Sequence, residues 1–161
     1  MAVYFEIGNL LDAPVDCICH QVNCQGRMGS GIAKQIRERW PRVYEVYQDW
    51  YQGKFYDEGA VNEYDMLGHI QIVHNEDDPC VINMAAQRFY GYDGKRYTSY
   101  DAFWACLGEI KEKVLKGSKI GFPAKIGCGL GGANWEVIFR MIEQVLGEDF
   151  DVYIYMLEEE Q

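Results

Sequence analysis

His20 and Asn23 stand at the end of an apolar run, Val15–Val22, directly ahead of a glycine-rich loop, Gly26-Arg27-Met28-Gly29-Ser30-Gly31. An imidazole exchanges protons near neutral pH and can serve as a general acid or base. An interior amide needs partners, and Asn23 at a strand end can hold a ribose hydroxyl or orient a water. A second loop, Gly127-Cys128-Gly129-Leu130-Gly131-Gly132, follows the run Lys119–Ile126. Glycine lets a backbone turn through positive φ and approach a ligand closely. A helix that begins just after such a loop offers unpaired N–H groups and the positive end of its dipole, and the combination binds phosphate without lysine or arginine. Gly29, Ser30 and Gly31 in the first loop are therefore candidate ligand contacts. So are Gly127, Cys128, Gly129, Leu130 and Gly131 in the second. Two such loops imply one pocket clamped from two sides around a diphosphate.

Each of these residues has a plainer reading beside the chemical one. His20 is either a general acid–base or a buried histidine satisfied by a backbone carbonyl. Asn83, Gln87 and Arg88 lie at or after the end of another strand, where ligands of layered α/β sheets bind, and Gln87 is a candidate contact. The loop Tyr90–Tyr97 carries Tyr92, Asp93, Lys95 and Arg96 and is either a lid or a solvated connection. Lys125 faces a phosphate or solvent. Gly127, Gly129 and Gly132 match the dinucleotide pattern G-x-G-x-x-G, but only one helix and one strand remain after them, too little to build that fold. The first loop lacks the Lys-Ser or Lys-Thr pair of a nucleotide-triphosphate loop.

The elements that must position these groups follow from periodicity and punctuation. Val3–Ile7 reads as an edge or outer strand and Val15–Val22 as a buried one. Ser30 stands where it can cap a helix running to Trp40, which Pro41 stops. Val43, Val46, Tyr47, Trp50 and Tyr51 recur at helical spacing, and a looser segment follows from Gly53 to Asp65. Strands are expected at Met66–Val73 and Pro79–Met84, a loop at Gly91–Ser99, and a long helix through Phe103, Leu107, Ile110 and Val114. Lys119–Ile126 reads as a strand. Asn134 caps a helix with Ile138, Met141, Ile142 and Val145 on its buried face, ended by Gly147. Val152–Leu157 is an interior strand, apolar on both faces. Alternating strands and helices give an α/β layered sheet covered on both sides, one domain over residues 1–157 with an acidic tail at 158–161.

The composition narrows the partners. The net charge is −10. A polyanion meets a repulsive average field, which disfavours general nucleic-acid binding, and an anionic ligand must be held locally. No apolar run is long enough to span a bilayer, and the first residues lack the basic and apolar regions of an export signal, so a cytoplasmic protein with no membrane partner is expected. The six cysteines, Cys17, Cys19, Cys24, Cys80, Cys106 and Cys128, then read as reduced thiols. Their spacing builds no zinc site, and neither a metal nor a cofactor is expected.

Taken together, these motifs resemble the macrodomain family, which binds ADP-ribose. The resemblance runs through Gly8-Asn9-Leu10-Leu11, Cys19 to Ala33, Val81–Gln87, Phe122–Gly129 and Val152–Leu157, in the family's order along nearly the whole chain. It is nearest to the subgroup of terminal ADP-ribose glycohydrolases and yeast-type ADP-ribose-1″-phosphate phosphatases. The resemblance implies a three-layer α/β/α sandwich with a mixed central sheet. It implies that the second loop wraps the diphosphate and that the first borders the distal ribose. Asn9 takes the place of an aspartate that contacts the adenine amino group, and Tyr155 that of a tyrosine near the adenine. His20 falls where phosphatase-like members have a histidine implicated in catalysis.

Two departures bear on activity. Gly131 replaces the catalytic aspartate of the glycohydrolases, and Ala85-Ala86-Gln87 holds no counterpart of their lysine nucleophile. The expectation is a protein that binds ADP-ribose or a derivative and hydrolyses it through His20 and Asn23. ADP-ribose-1″-phosphate is the leading substrate, ahead of an acetyl ester or an ADP-ribosylated macromolecule. The alternatives are a non-catalytic module that reads or sequesters such signals, or a nucleotide-binding scaffold in a larger assembly.

Overall fold

The computed structural model describes residues 1–53 and 66–157. Most of the looser segment after Gly53, and the acidic tail at 158–161, lie outside them. Six strands form one sheet: β1 (Val3–Ile7), β2 (Cys17–Asn23), β3 (Ile70–Val73), β4 (Cys80–Gln87), β5 (Lys119–Pro123) and β6 (Asp151–Met156). Their order is β1-β6-β5-β2-β4-β3. Every neighbouring pair is parallel except β3 with β4. β6 is therefore interior and β1 an edge strand, as the run lengths and patterning predict.

Four helices among the described residues cover the two faces: α1 (Gly31–Arg39), α2 (Pro41–Gln52), α3 (Tyr100–Lys113) and α4 (Trp135–Leu146). Phe103, Leu107 and Ile110 of α3 and Ile138, Ile142 and Leu146 of α4 pack with Cys19, Ile82, Ile120, Phe122 and Ile154 on one face. Ile36 of α1 and Val43, Tyr47 and Trp50 of α2 pack with Ile18, Val22, Val81 and Ala85 on the other. Burying a side chain such as Ile18 contributes roughly 2–3 kcal/mol relative to leaving it in water, so the strands with both faces covered fix the sheet. The three-layer sandwich with a mixed sheet is the observed architecture.

Local chemistry explains the boundaries that differ from expectation. Only Ile70–Val73 of the run from Met66 is strand, because Gly68 turns the chain at φ +86°. β4 runs on to Gln87, and the register with β2 shifts between Val22 and Asn23. β5 stops at Pro123 and not at Ile126, because Lys125 adopts φ +60° and turns the backbone out of the ladder. No other non-glycine residue among the described ones has positive φ. Pro41 both stops α1 and opens α2 at its first turn, where a missing N–H costs nothing. On α4, Met141 and Val145 are half-buried, and Leu146 completes the buried face. The six cysteines are free thiols; Cys17 and Cys80 face each other in register, with Sγ atoms 2.7 Å apart. Among the described residues no helix is long and apolar enough to cross a membrane.

Candidate functional site

A cleft of about 680 Å³ opens beyond the carboxyl ends of β2, β4, β5 and β6, within the size range of small-molecule sites. Asn9, Asn23, Gly29, Ser30, Gly31, Gln87, Gly127, Cys128, Gly129, Leu130, Gly131 and Tyr155 all line it. Residues spread over most of the chain thus converge on one concavity. His20 is the candidate the structure leaves out.

The placement of His20 has a clear physical reason. Its side chain lies on the β2 face shared with Ile18 and Val22, fully buried under α1 and α2. Nε2 lies 2.5 Å from Asn83 Oδ1, and Asn83 Nδ2 donates to Gln71 Oε1 at 3.0 Å. Because the Asn83 amide gives its hydrogen to Gln71, it presents oxygen to the imidazole, so Nε2 carries the proton and donates. Gln71 in turn donates to Val46 O at 2.9 Å, which ties α2 to the sheet. Burial pushes the imidazole down to about 4, against the opposing pull of the Asn83 bond, so His20 is neutral at physiological pH. Its hydrogen-bond partner is a side-chain amide and not the backbone carbonyl that the plainer reading supposes.

Asn23 reaches the cleft wall, but its amide shapes the first loop. Oδ1 accepts from the N–H groups of Gln25 (3.0 Å) and Arg27 (3.3 Å), and Nδ2 donates to Arg27 O (3.0 Å). The Tyr47 hydroxyl sits 2.6 Å from Asn23 O and 2.9 Å from Oδ1. The loop delivers the chain to α1, whose N-cap position is Ser30. Ser30 has the extended backbone of a cap, but its side chain makes no capping bond. The N–H groups of Gly31, Ile32 and Ala33 consequently meet no acceptor among the described residues.

The second loop works differently from the sequence expectation. Asn134 Oδ1 accepts from Glu136 N and Val137 N, which closes the N-terminus of α4. The helix end is taken, and the loop's own N–H groups remain. Those of Gly129, Leu130 and Gly131 meet no acceptor among the described residues, whereas Cys128, Gly132 and Ala133 bond within the turn. A Cβ at Gly129 would meet nothing within 4 Å, so the cleft comes up against bare backbone there. At Gly131 a Cβ would lie 2.5 Å from both Gly127 O and Thr98 Oγ1. The turn is built so tightly that no side chain fits at that position.

The remaining lining sets the electrostatics. Arg27 and Lys125 are its cations, and among the described residues it holds no carboxylate and no histidine. In a chain of net charge −10 this is a local reversal of sign that suits an anionic ligand. Cys128 donates its thiol hydrogen to Ile126 O at 3.4 Å, and burial pushes the thiol up to about 11, so it stays protonated and weakly nucleophilic. Asn9 Oδ1 accepts from Leu11 N at 3.0 Å and keeps one lone pair and the Nδ2 hydrogens for a ligand. Tyr155 is half-buried, and burial raises its phenol. Gln87 Oε1 accepts from Gln21 Nε2 at 2.7 Å. Two features escaped the sequence reading, the positive φ of Lys125 and the part played by Thr98. The backbone of Lys125 has no marker in its residue type. Buried Thr98 finds its side-chain partners, Gln21 and Gly127, on distant segments, so no local pattern signals it.

No family model matches the chain. A DNA ADP-ribosyl glycohydrolase of Thermus aquaticus is 26% identical over 153 residues, which is 94% of this chain and 40% of that protein. An ADP-ribose 1″-phosphate phosphatase of Ajellomyces capsulatus is 40% identical over 50 residues, 30% of this chain and 20% of that protein. The chain thus spans well under half the length of either relative. Among solved structures, a protein of unknown function from Bacteroides thetaiotaomicron superposes with a TM-score of 0.79 at 26% identity, covering 97% of this chain and 98% of its own. The macrodomain of Mycobacterium tuberculosis DarG gives 0.73 at 22%, covering 95% and 96%. Thermosipho africanus DarTG in complex with ADP-ribose gives 0.74 at 21%, covering 98% of this chain and 43% of its own. The strand order, the two glycine loops and these superpositions together establish that the chain has the macrodomain fold.

Proposed function

We propose that the cleft binds ADP-ribose or a derivative, with the diphosphate between the two glycine loops. One observation carries this reading: free N–H groups from two distant loops, Gly31–Ala33 and Gly129–Gly131, meet in one cleft whose charged lining residues are cations. Backbone N–H groups of this kind bind phosphate oxygens at fixed geometry and survive an acidic surface, because they act only at contact distance. Asn9 and Tyr155 also line the cleft, and their amide and ring suit a purine.

Hydrolysis of a group on the distal ribose is the activity we assign to the bound complex. Its support is the naming of two relatives as a DNA ADP-ribosyl glycohydrolase and an ADP-ribose 1″-phosphate phosphatase. A specific observation favours a second reading, a binding module without catalysis. Among the described residues the cleft lacks a carboxylate and a histidine, and Gly131 leaves no room for the glycohydrolase aspartate. Calorimetry with ADP-ribose and AMP tests the site, and ADP-ribose is expected to bind more tightly. Equal affinities overturn the diphosphate clamp. Product analysis with ADP-ribose-1″-phosphate and with ADP-ribosylated DNA tests the chemistry; binding with no turnover of either leaves the module.

A further inference from the structure

Thr98 is 2% exposed and precedes α3 by two residues, yet its contacts lead to the second glycine loop. Its hydroxyl donates to Gly127 O at 2.8 Å. Its own N–H and that of Tyr97 donate to Gly131 O, at 2.9 and 2.7 Å. The loop is thus held at its first and fifth residues by one short segment of a different loop. Between those two points lie the free N–H groups of Gly129 and Leu130.

The direction of the hydroxyl is itself fixed. Gln87 Nε2 donates to Phe89 O at 2.8 Å, so Gln87 turns its Oε1 toward Gln21. Gln21 must then present Nε2, which donates to Gln87 Oε1 at 2.7 Å and to Thr98 Oγ1 at 2.8 Å. Because Gln21 presents a donor that cannot accept, Thr98 aims its single hydrogen at Gly127 O. A relay therefore runs from β4 through β2 to the loop, all of it through neutral side chains.

We propose that Thr98, oriented by Gln21, is a positioning residue that sets the curvature of the second loop and thereby its selectivity for a diphosphate over a monophosphate. For its ligand this rests on the ADP-ribose reading above; the relay itself is testable without a ligand. Thr98→Val keeps the volume and the β-branch and removes the hydroxyl, whereas Thr98→Ser keeps the hydroxyl. In the unliganded protein, amide hydrogen exchange at Gly132 and Ala133, which close the turn onto Gly129 O and Gly127 O, is expected to quicken about tenfold in Thr98→Val and to stay near wild type in Thr98→Ser. By calorimetry Thr98→Val is expected to lose about tenfold in affinity for ADP-ribose, the scale of one hydrogen bond, with AMP affinity within about twofold of wild type. Should Thr98→Val fail to fold, Gln21→Met cuts the relay one step earlier and carries the same expectation for exchange. Wild-type exchange and an unchanged ADP-ribose to AMP ratio in folded Thr98→Val overturn the proposal. A wild-type protein that binds both ligands equally overturns the diphosphate reading instead, and the exchange rates still decide the relay.

Discussion

Replacing His20 by glutamine should flatten the dependence of stability on pH between about 5 and 6.5. In the unfolded chain a histidine titrates near 6.5, whereas burial holds His20 in the folded protein at about 4. Between those values the unfolded state binds a proton that the native state refuses, so native stability falls as pH is lowered through the window. The slope for one proton is about 1.4 kcal/mol per pH unit, and the full loss, complete near pH 4, is about 3 kcal/mol. Above pH 6.5 neither state binds the proton and the contribution is level. Glu109 adds its own acid sensitivity lower down: burial raises it, but hydrogen bonds from His69 and from Ile70 N hold it below the ordinary carboxylate value. That sensitivity lies at lower pH, outside the range to be measured. The assay is urea unfolding in half-unit steps from about pH 5 to about pH 7, comparing midpoints at constant slope. His69 and His74 are present in both proteins and cancel. Parallel pH profiles for wild type and His20→Gln would refute the argument and return His20 to the list of groups that titrate with access to solvent.

Four further outcomes are expected. Gly129→Val should leave the melting temperature within a few degrees of wild type, since its Cβ meets open space, while ADP-ribose affinity falls at least tenfold; retained binding would remove that loop from the ligand wall. Gly131→Asp should cost about 2 kcal/mol of stability because its Cβ meets Gly127 O and Thr98 Oγ1 at 2.5 Å, and it should bring no glycohydrolase activity; a stable, active variant would contradict the steric argument. Asn9→Ala should weaken ADP-ribose binding by about 1 kcal/mol and Tyr155→Ala by more, through lost ring packing; unchanged calorimetry in both places the adenine elsewhere. Ser30→Asp should stabilise the fold by about 1 kcal/mol by capping α1 and should weaken anion binding, read as opposite shifts in urea midpoint and affinity.

The sequence is readable wherever one residue type has one physical use. Pro41 marks a helix boundary because it lacks an N–H, and Asn134 marks another because its side chain completes the first turn. The two glycine runs flag the cleft for the same reason. His20 shows where such reading divides. Its place two residues from Ile18 and from Val22 puts it on an apolar face by strand alternation, which favours burial, while its place near the strand end favours the site. The face decides, because α1 and α2 cover β2 there. Two other features have no local signature. The early end of β5 depends on a lysine adopting φ +60°, and the curvature of the second loop depends on Thr98, which reaches it from a separate part of the chain.

The caps of the helices divide according to what their ends face. Ser99 closes α3 by accepting from Ala102 N at 3.1 Å, and Asn134 closes α4 by accepting from Glu136 N. Neither helix lines the cleft, and both caps contribute the usual stability of about 1 kcal/mol. α1 begins in the cleft, has a residue of the same capping class at the same position, and leaves its first N–H groups open. A serine that can cap and does not is the local inconsistency expected where a helix end must stay available to a ligand, since a closed cap and a bound phosphate compete for the same donors. The second loop meets the same demand by the opposite route. Its helix is capped, so its donors come from a turn so tight that Gly131 excludes any side chain. The geometry that exposes backbone to the cleft is the geometry that leaves no room for an aspartate there.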